Sequence, residues 1–209
     1  MGLFLWASVL WLAGGSVQSE VPAAELEAWT AGPVQWLLLP EERKNLKHVD
    51  NASEAESFVE VFWQRRDGDS DLGGNAYREE FTHRVEAADI LYSDEGTRGS
   101  LTDRGRALIL LGPPTHVTVS TEPVMAWDPA NAGGDRVTLR DVNVEIWGYR
   151  IEDLPAGMLQ IWMAKKKKAA EDTLTLTLMF RNVGRRTSLV DGEPLLAAAA
   201  RAAVLQTDN

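Results

Sequence analysis

The segment at residues 99–114, GSLTDRGRALILLGPP, constrains the fold of this chain more than any other stretch. Polar and charged residues from Thr102 to Arg106 lead into an unbroken apolar run, which ends at Gly112 and two prolines. A short apolar run bounded by glycine and proline is typical of a buried β-strand. We therefore predict a strand over residues 107–111, with a dense cluster of charged side chains at its beginning.

The residues before this segment follow a helical period instead. Ser53 and Glu56 match a capping box, and the apolar residues that follow recur every three or four positions up to Trp63. A second helix is predicted to begin after Asn75, which can cap it. Its apolar residues fall on one face: Tyr77, Phe81, Val85 and Ala88. The two helices are predicted to form a hairpin.

The residues after this segment alternate with a period of two, which is typical of strands. Val117 is predicted to begin one strand, and residues 142–147 form another whose valine and isoleucine side chains face inward. Residues 158–163 and 173–181 are predicted to pair as a hairpin, whereas residues 121–134, rich in Pro, Asn, Gly and Asp, are predicted to form a loop. Helices followed by strands and a last helix predict an α+β fold with a small, mostly antiparallel sheet.

Composition excludes several classes of protein. The 209 residues suit one domain, and the absence of cysteine excludes disulfides, thiol nucleophiles and thiolate metal sites. The formal charge of -10 argues against a nucleic acid as partner, because phosphate binding needs a basic surface.

The first 19 residues are predicted to be a secretory signal peptide, because an apolar run at residues 3–13 precedes small residues. This run is too short to span a bilayer, so no integral membrane span is expected after signal removal. Residues 20–35 are predicted to be a linker and residues 36–182 the main domain. Residues 183–209 are predicted to form a tail whose Ala-rich helix docks loosely.

Four motifs in this chain resemble the GWxTD domain, a family of exported bacterial proteins. They lie at residues 62–67, 75–84, 99–114 and 145–150, in the family's order and spacing. Ser100 stands where the family's eponymous tryptophan is found. The resemblance implies a domain of the bacterial envelope, periplasmic or extracellular, whose biochemistry is undetermined.

These motifs carry charged and polar side chains near the predicted element ends. Guanidinium groups bind carboxylates through two parallel hydrogen bonds, so such a set either fixes loops to helices or holds an anionic ligand. Arg66, Asp103 and Arg104 are the best candidates for a ligand site. The full set of candidate residues is Arg65, Arg66, Asp67, Asn75, Glu79, Arg84, Thr102, Asp103, Arg104 and Arg106.

The Asp-rich loop between the two helices suggests a metal site. Asp67, Asp69 and Asp71 occupy alternate positions, and Glu79 follows on the next helix, as in a calcium-binding EF-hand loop. Leu72 occupies the position that glycine takes in that motif, and Glu79 falls one residue late. A solvated acidic loop is the alternative, and no other cofactor is predicted.

Three hypotheses about function follow. The first is a non-catalytic binding or interaction domain, whose partner is an envelope protein or another periplasmic component. The second is a hydrolase or transferase that uses Asp103, Glu79 or Glu80 as acid and base, with Arg104 steering an anion. The third is a structural domain that calcium stabilises.

Overall fold

The chain forms several helices and then an antiparallel sheet, with a helix between the second and third strands and another after the fourth. The computed structural model describes residues 23–67, 75–93, 96–127, 137–155, 157–165 and 176–205. The helices within these ranges are α1 (Ala23–Ala31), α2 (Pro40–Asn45), α3 (Ala52–Gln64), α4 (Ala76–Leu91), α5 (Asp103–Leu111), α6 (Met158–Lys165) and α7 (Glu193–Leu205). The strands are β1 (His116–Trp127), β2 (Val137–Tyr149), β3 (Leu176–Val183) and β4 (Arg186–Asp191). Short 3-10 helices lie at Pro33–Trp36, Leu46–His48, Gly99–Leu101 and Ile151–Asp153.

The four strands follow one another across the sheet in chain order, and each neighbouring pair is antiparallel. β1 and β2 pair along their whole length, from His116 with Gly148 to Trp127 with Val137. β3 pairs only with residues 144–149 of β2. The outer halves of β1 and β2 therefore extend beyond β3 as a two-stranded ribbon. The predicted α+β class, the antiparallel sheet and the C-terminal helix are confirmed.

Helices α3 and α4 begin at asparagine caps. The Asn75 side chain accepts a hydrogen bond from the Arg78 amide, as the sequence predicts. The cap of α3 is Asn51, which accepts from the Glu54 amide, so the capping box predicted at Ser53 and Glu56 is wrong. Asn51 lies two positions before Ser53, and Glu54 follows Asn51 by three positions, the spacing of the capping-box pattern.

Residues 107–111 form most of α5, so the predicted strand is wrong. Thr102 caps this helix by accepting a hydrogen bond from the Gly105 amide. Gly112 ends it with a positive φ of 81°, a conformation that glycine adopts without strain. All five apolar side chains are buried, because α5 has neighbours on several sides. A helix buried all round shows no helical period, so its sequence resembles a buried strand.

Two further segments also differ from the prediction. The apolar run at residues 158–163 lies in α6, which packs against α7 with Met158 fully buried, and it is not a strand. β1 continues to Trp127, through residues predicted as a loop. Pro123 is tolerated there because β1 is an edge strand, where a missing amide need not break the sheet.

The faces of β2 are opposite to the prediction. Trp147 faces the helices, where its ring packs against Tyr92 and Phe180. Glu145 is two residues away and shares this face. Val144 is also fully buried, but its side chain lies on the other face of the sheet. When a strand has buried residues on both faces, its sequence alone does not show which face packs against the helices.

Both ends of the described chain pack against the rest. The segment predicted as a linker contains α1, whose Trp29 ring contacts Phe58 and Phe62 of α3 edge-on. Helix α7 belongs to the same hydrophobic core as α5 and β3, with Leu196 and Ala198 fully buried, so the predicted loose docking is wrong. No helix in the described ranges has both the length and the apolar character needed to cross a membrane.

Candidate functional site

The polypeptide at residues 99–105 is packed so closely that it requires glycine at two positions. A Cβ on Gly99 would lie 2.1 Å from the carbonyl oxygen of Ala88 in α4. A Cβ on Gly105 would lie 2.0 Å from the carbonyl oxygen of Gly99. Both distances are far below van der Waals contact, and backbone atoms cannot move aside as a flexible side chain does. The two glycines therefore bring α4, the 3-10 turn and the start of α5 into direct backbone contact.

Three charged residues of α5 fix this helix to three other elements. Asp103 accepts a hydrogen bond of 2.8 Å from the Leu189 amide of β4. Arg104 donates to Glu145 of β2 at 3.2 Å, and its guanidinium lies over the Tyr92 ring. Arg106 binds both carboxylate oxygens of Glu193 in α7, at 2.8 and 2.6 Å. These groups hold α5 in the centre of the fold.

Ser100, at the position of the family's tryptophan, is fully buried. Its carbonyl oxygen accepts a hydrogen bond of 2.9 Å from the Trp36 indole, so an indole from another part of the chain lies beside this position. Its amide donates to Asp89 at 2.7 Å. Partial burial opposes ionisation of Asp89, but the hydrogen bonds from Ser100 and Arg98 outweigh it and lower the pKa of the carboxyl group.

Arg66 belongs to a separate buried ion pair with Glu42. Its two terminal nitrogens donate to the two Glu42 oxygens at 3.0 and 2.8 Å, and also to the carbonyls of Phe62 and Leu37. Arg65 donates to the same carboxylate at 3.1 Å. Arg66 is fully buried and Glu42 is 2% exposed, and the pair joins α2 to the end of α3. Sequence reasoning missed Glu42; its position two residues after Pro40, where a helix can begin, is the signal that could have found it.

The other predicted residues lie around α4. Asn75 caps α4 and also donates to the carbonyl of Trp63 at 2.8 Å, which joins α3 to α4. Arg84 pairs with Glu80 one helical turn away, at 2.7 Å. Asp67 is half-buried directly after α3, and Glu79 is exposed.

Of the predicted calcium ligands, Asp69 and Asp71 lie outside the described residues, so the calcium site stays a prediction. Within the described ranges, no three His, Asp or Glu side chains are grouped as metal ligands.

The catalytic hypothesis requires Asp103, Arg104 and an acid of α4 to converge. Asp103 instead binds a backbone amide of β4, and Arg104 binds Glu145 of β2. Glu80 pairs with Arg84 on its own helix, and Glu79 is exposed to solvent. In the part of the chain that the structure describes, Asp103, Arg104 and Glu80 thus belong to separate contacts and do not converge on one site.

Two concave surfaces lie beside these contacts, and Glu42 and Arg65 of the ion pairs are part of the lining of the first. A groove of about 390 Å³ runs between α2 and α3, with Phe58, Val61 and Phe62 in its lining. A cavity of about 330 Å³ lies between α4, α5 and α7, and its lining includes Tyr77 and Arg84. Arg84 is the one member of the predicted charge set that reaches this cavity.

Of the four motifs, those at residues 62–67, 75–84 and 99–114 lie within the stretch that a family model matches, and the motif at residues 145–150 lies outside it. Neither curated proteins nor solved structures give a match. The family model of the GWxTD domain matches residues 16–139, which include α1 to α5, β1 and the start of β2. The match covers more than half of the chain, and the chain belongs to the GWxTD domain family.

Proposed function

We propose that this chain is an exported domain of the bacterial envelope that binds an extended segment of another envelope protein at the edge of its sheet. The observation that carries the proposal is the difference between the two edges of the sheet. β4 forms one edge and β1 forms the other.

The β4 edge is covered in part by α5. The Leu189 amide, halfway along β4, is bound to the Asp103 carboxylate. An amide whose hydrogen bond is already made cannot pair with an incoming strand. The residue that the family motif places at the start of α5 therefore protects this edge.

The β1 edge has the opposite character. β1 is 12 residues long, and Glu122 is its one residue with a formal charge at neutral pH, already paired with Arg181. Val117, Val119 and Met125 share one face of β1, and they are between 49% and 79% exposed. Leu139, directly opposite Met125 in β2, is 71% exposed on the same face. A long edge strand with few charges and exposed apolar side chains is suited to pairing with another strand.

The expected partner follows from this chemistry. It supplies an extended segment whose apolar side chains alternate, so that its backbone pairs with β1 while its side chains cover the exposed apolar residues. Pro123 has no amide, so it contributes no donor to such pairing. The apolar run at residues 3–13, followed by small residues, supports export, because it has the length of the apolar region of a signal peptide.

Photo-crosslinking in the native envelope tests the proposal. A photoreactive amino acid is placed at Val119 or Met125, and at Val190 on the β4 edge as the matched control, since Val190 is also exposed. We expect discrete adducts with one envelope protein from positions 119 and 125 and none from 190. A Val119→Lys substitution should abolish the adduct at 125, because a charge on an edge strand opposes pairing.

Two outcomes would overturn the proposal. One is a pattern of adducts that is the same at 119, 125 and 190. The other is a chain that stays in the cytoplasm with its first residues intact, as mass spectrometry of cell fractions would show.

A further inference from the structure

The cavity between α4, α5 and α7 has apolar walls and a small number of polar groups. Phe81 and Leu154 contribute to the walls, together with Ala199 and Ala203 of α7. The two alanines leave space that larger side chains would fill. A cavity of about 330 Å³ is at the lower end of the range for small-molecule sites. It is therefore suited to a small ligand that is largely apolar.

The charged groups in the lining have both signs. Arg84 donates through Nε to Glu80 at 2.7 Å and through Nη1 to the Ile109 carbonyl at 3.3 Å. Asp153 also lines the cavity and is held by Arg150 and Thr115. Because each acid already faces a cation, the lining offers positive and negative groups side by side without a large excess of either sign.

Two tyrosines add hydroxyl groups near Arg84. Burial raises the pKa of Tyr77, which lines the cavity, to about 12, so its hydroxyl is a neutral hydrogen-bond donor at physiological pH. The Tyr149 hydroxyl is buried and has no hydrogen-bond partner among the described residues. Burial raises the pKa of Tyr149 as well, and the charge of Arg84 opposes the rise. Tyr149 is not among the residues that line the cavity. Buried hydroxyls without partners are rare in native proteins and call for an explanation.

We propose that this cavity binds a free α-amino acid with an apolar side chain. The ligand's carboxylate is placed toward Arg84 and the Tyr77 hydroxyl, and its ammonium toward Glu80 and Asp153. Its side chain lies against Ala199, Ala203 and the neighbouring apolar walls. A zwitterion can pair with both signs of the lining, whereas a simple acid or a simple amine can pair with only one of them.

The inference is independent of the proposed pairing at the sheet edge, since no residue of β1 lines this cavity. Either can fail without the other. It also assigns a further role to Arg84, which already pairs with Glu80 and donates to the Ile109 carbonyl of α5.

Calorimetric titration of the full chain with leucine tests the inference. The two matched probes are 4-methylpentanoate, which lacks the ammonium group, and isopentylamine, which lacks the carboxylate. We expect leucine to bind, and each probe to bind at least about tenfold more weakly. Equal binding of leucine and either probe, or no binding of leucine at millimolar concentration, would overturn the inference.

Two neighbouring glutamates provide the matched variants. Glu80 lines the cavity and Glu79 does not, and both are exposed on α4, so neither substitution threatens folding. We expect Glu80→Gln to weaken leucine binding about tenfold and Glu79→Gln to leave it unchanged. Ala203→Leu, which fills the cavity, should abolish binding. Leucine binding that survives both Glu80→Gln and Ala203→Leu would place the ligand elsewhere and refute the assignment.

Discussion

A double-mutant cycle on Glu42 and Arg66 tests whether Arg66 is a structural residue or a ligand site. Glu42→Gln keeps the shape of the side chain but leaves a buried guanidinium without its counter-charge, which typically costs about 3–5 kcal/mol. Arg66→Met leaves Glu42 with Arg65 and the Leu39 amide as partners. It also removes donors from the carbonyls of Phe62 and Leu37. Because each lost buried hydrogen-bond partner costs about 1 kcal/mol or more, we expect Arg66→Met to lower the free energy of unfolding by about 3 kcal/mol.

The double variant distinguishes the two roles, because it removes both charges together. If the two effects were independent, the losses would add to about 6–8 kcal/mol. We expect about 3–4 kcal/mol instead, since the second substitution removes the charge that the first leaves unpaired. The coupling energy between the two sites is then about 3 kcal/mol, near the upper end for residues in contact.

Urea unfolding at neutral pH, followed by circular dichroism and tryptophan fluorescence, measures these differences. With an m-value of about 2–3 kcal/mol per molar urea, each single variant should lower the midpoint by about 1 M or more. Glu41→Gln is the control, because the adjacent Glu41 pairs with Arg201 at 3.7 Å and both side chains are about half exposed. Its effect should stay below about 0.5 kcal/mol. Additive single effects, or an Arg66→Met variant of unchanged stability, would refute the structural role.

Three further predictions concern other parts of the chain. Gly105→Ala should lower the free energy of unfolding by about 3 kcal/mol, because the added Cβ would meet the Gly99 carbonyl. The melting temperature should then fall by roughly 6–12 °C. An unchanged melting temperature would contradict the close contact. Asp89→Asn should lower the free energy of unfolding by about 1 kcal/mol at pH 7. The difference between the variant and the natural chain should disappear as the pH falls below about 4 and passes through the lowered pKa of Asp89. Urea unfolding at a series of pH values measures it. If the Asp-rich loop binds calcium, a free calcium concentration about ten times the Kd should add about 1.4 kcal/mol to the free energy of unfolding. An Asp69→Ala, Asp71→Ala variant should lose this stabilisation. Equal melting temperatures with and without calcium would exclude the site.

The sequence predicts an element correctly when only one face of that element packs against the rest of the protein, because the buried residues then recur with a regular period. Helix α4 is buried on one face, so Phe81, Val85 and Ala88 recur at helical spacing, and its cap at Asn75 is recognisable. Helix α5 is enclosed on several sides, so the same reasoning assigns it to the wrong class of element. The strand prediction failed there because burial alone, without a period, does not distinguish a helix from a strand.

The candidate residues were easier to predict than their partners. The sequence marks Arg66, Asp103 and Arg104 as residues that need partners, since buried charges and polar groups are rarely left unpaired. Each partner, however, lies 24 to 86 residues away in the chain, on α2, β4 or β2. Local spacing carries no information about such pairs, because the tertiary fold decides which elements meet.

The contacts at residues 99–105 bear on what membership of this family can say about function. Within seven residues, Gly99 and Gly105 set a backbone contact, Ser100 binds Asp89, Thr102 caps α5 and Asp103 binds β4. All these interactions are internal to the protein. A motif maintained by such contacts preserves the junction between helices and sheet, and it places no constraint on a ligand. The contacts at residues 99–105 therefore fix the framework, and the specific function is to be sought where these seven residues make no contact, at the β1 edge and in the cavity beside Arg84.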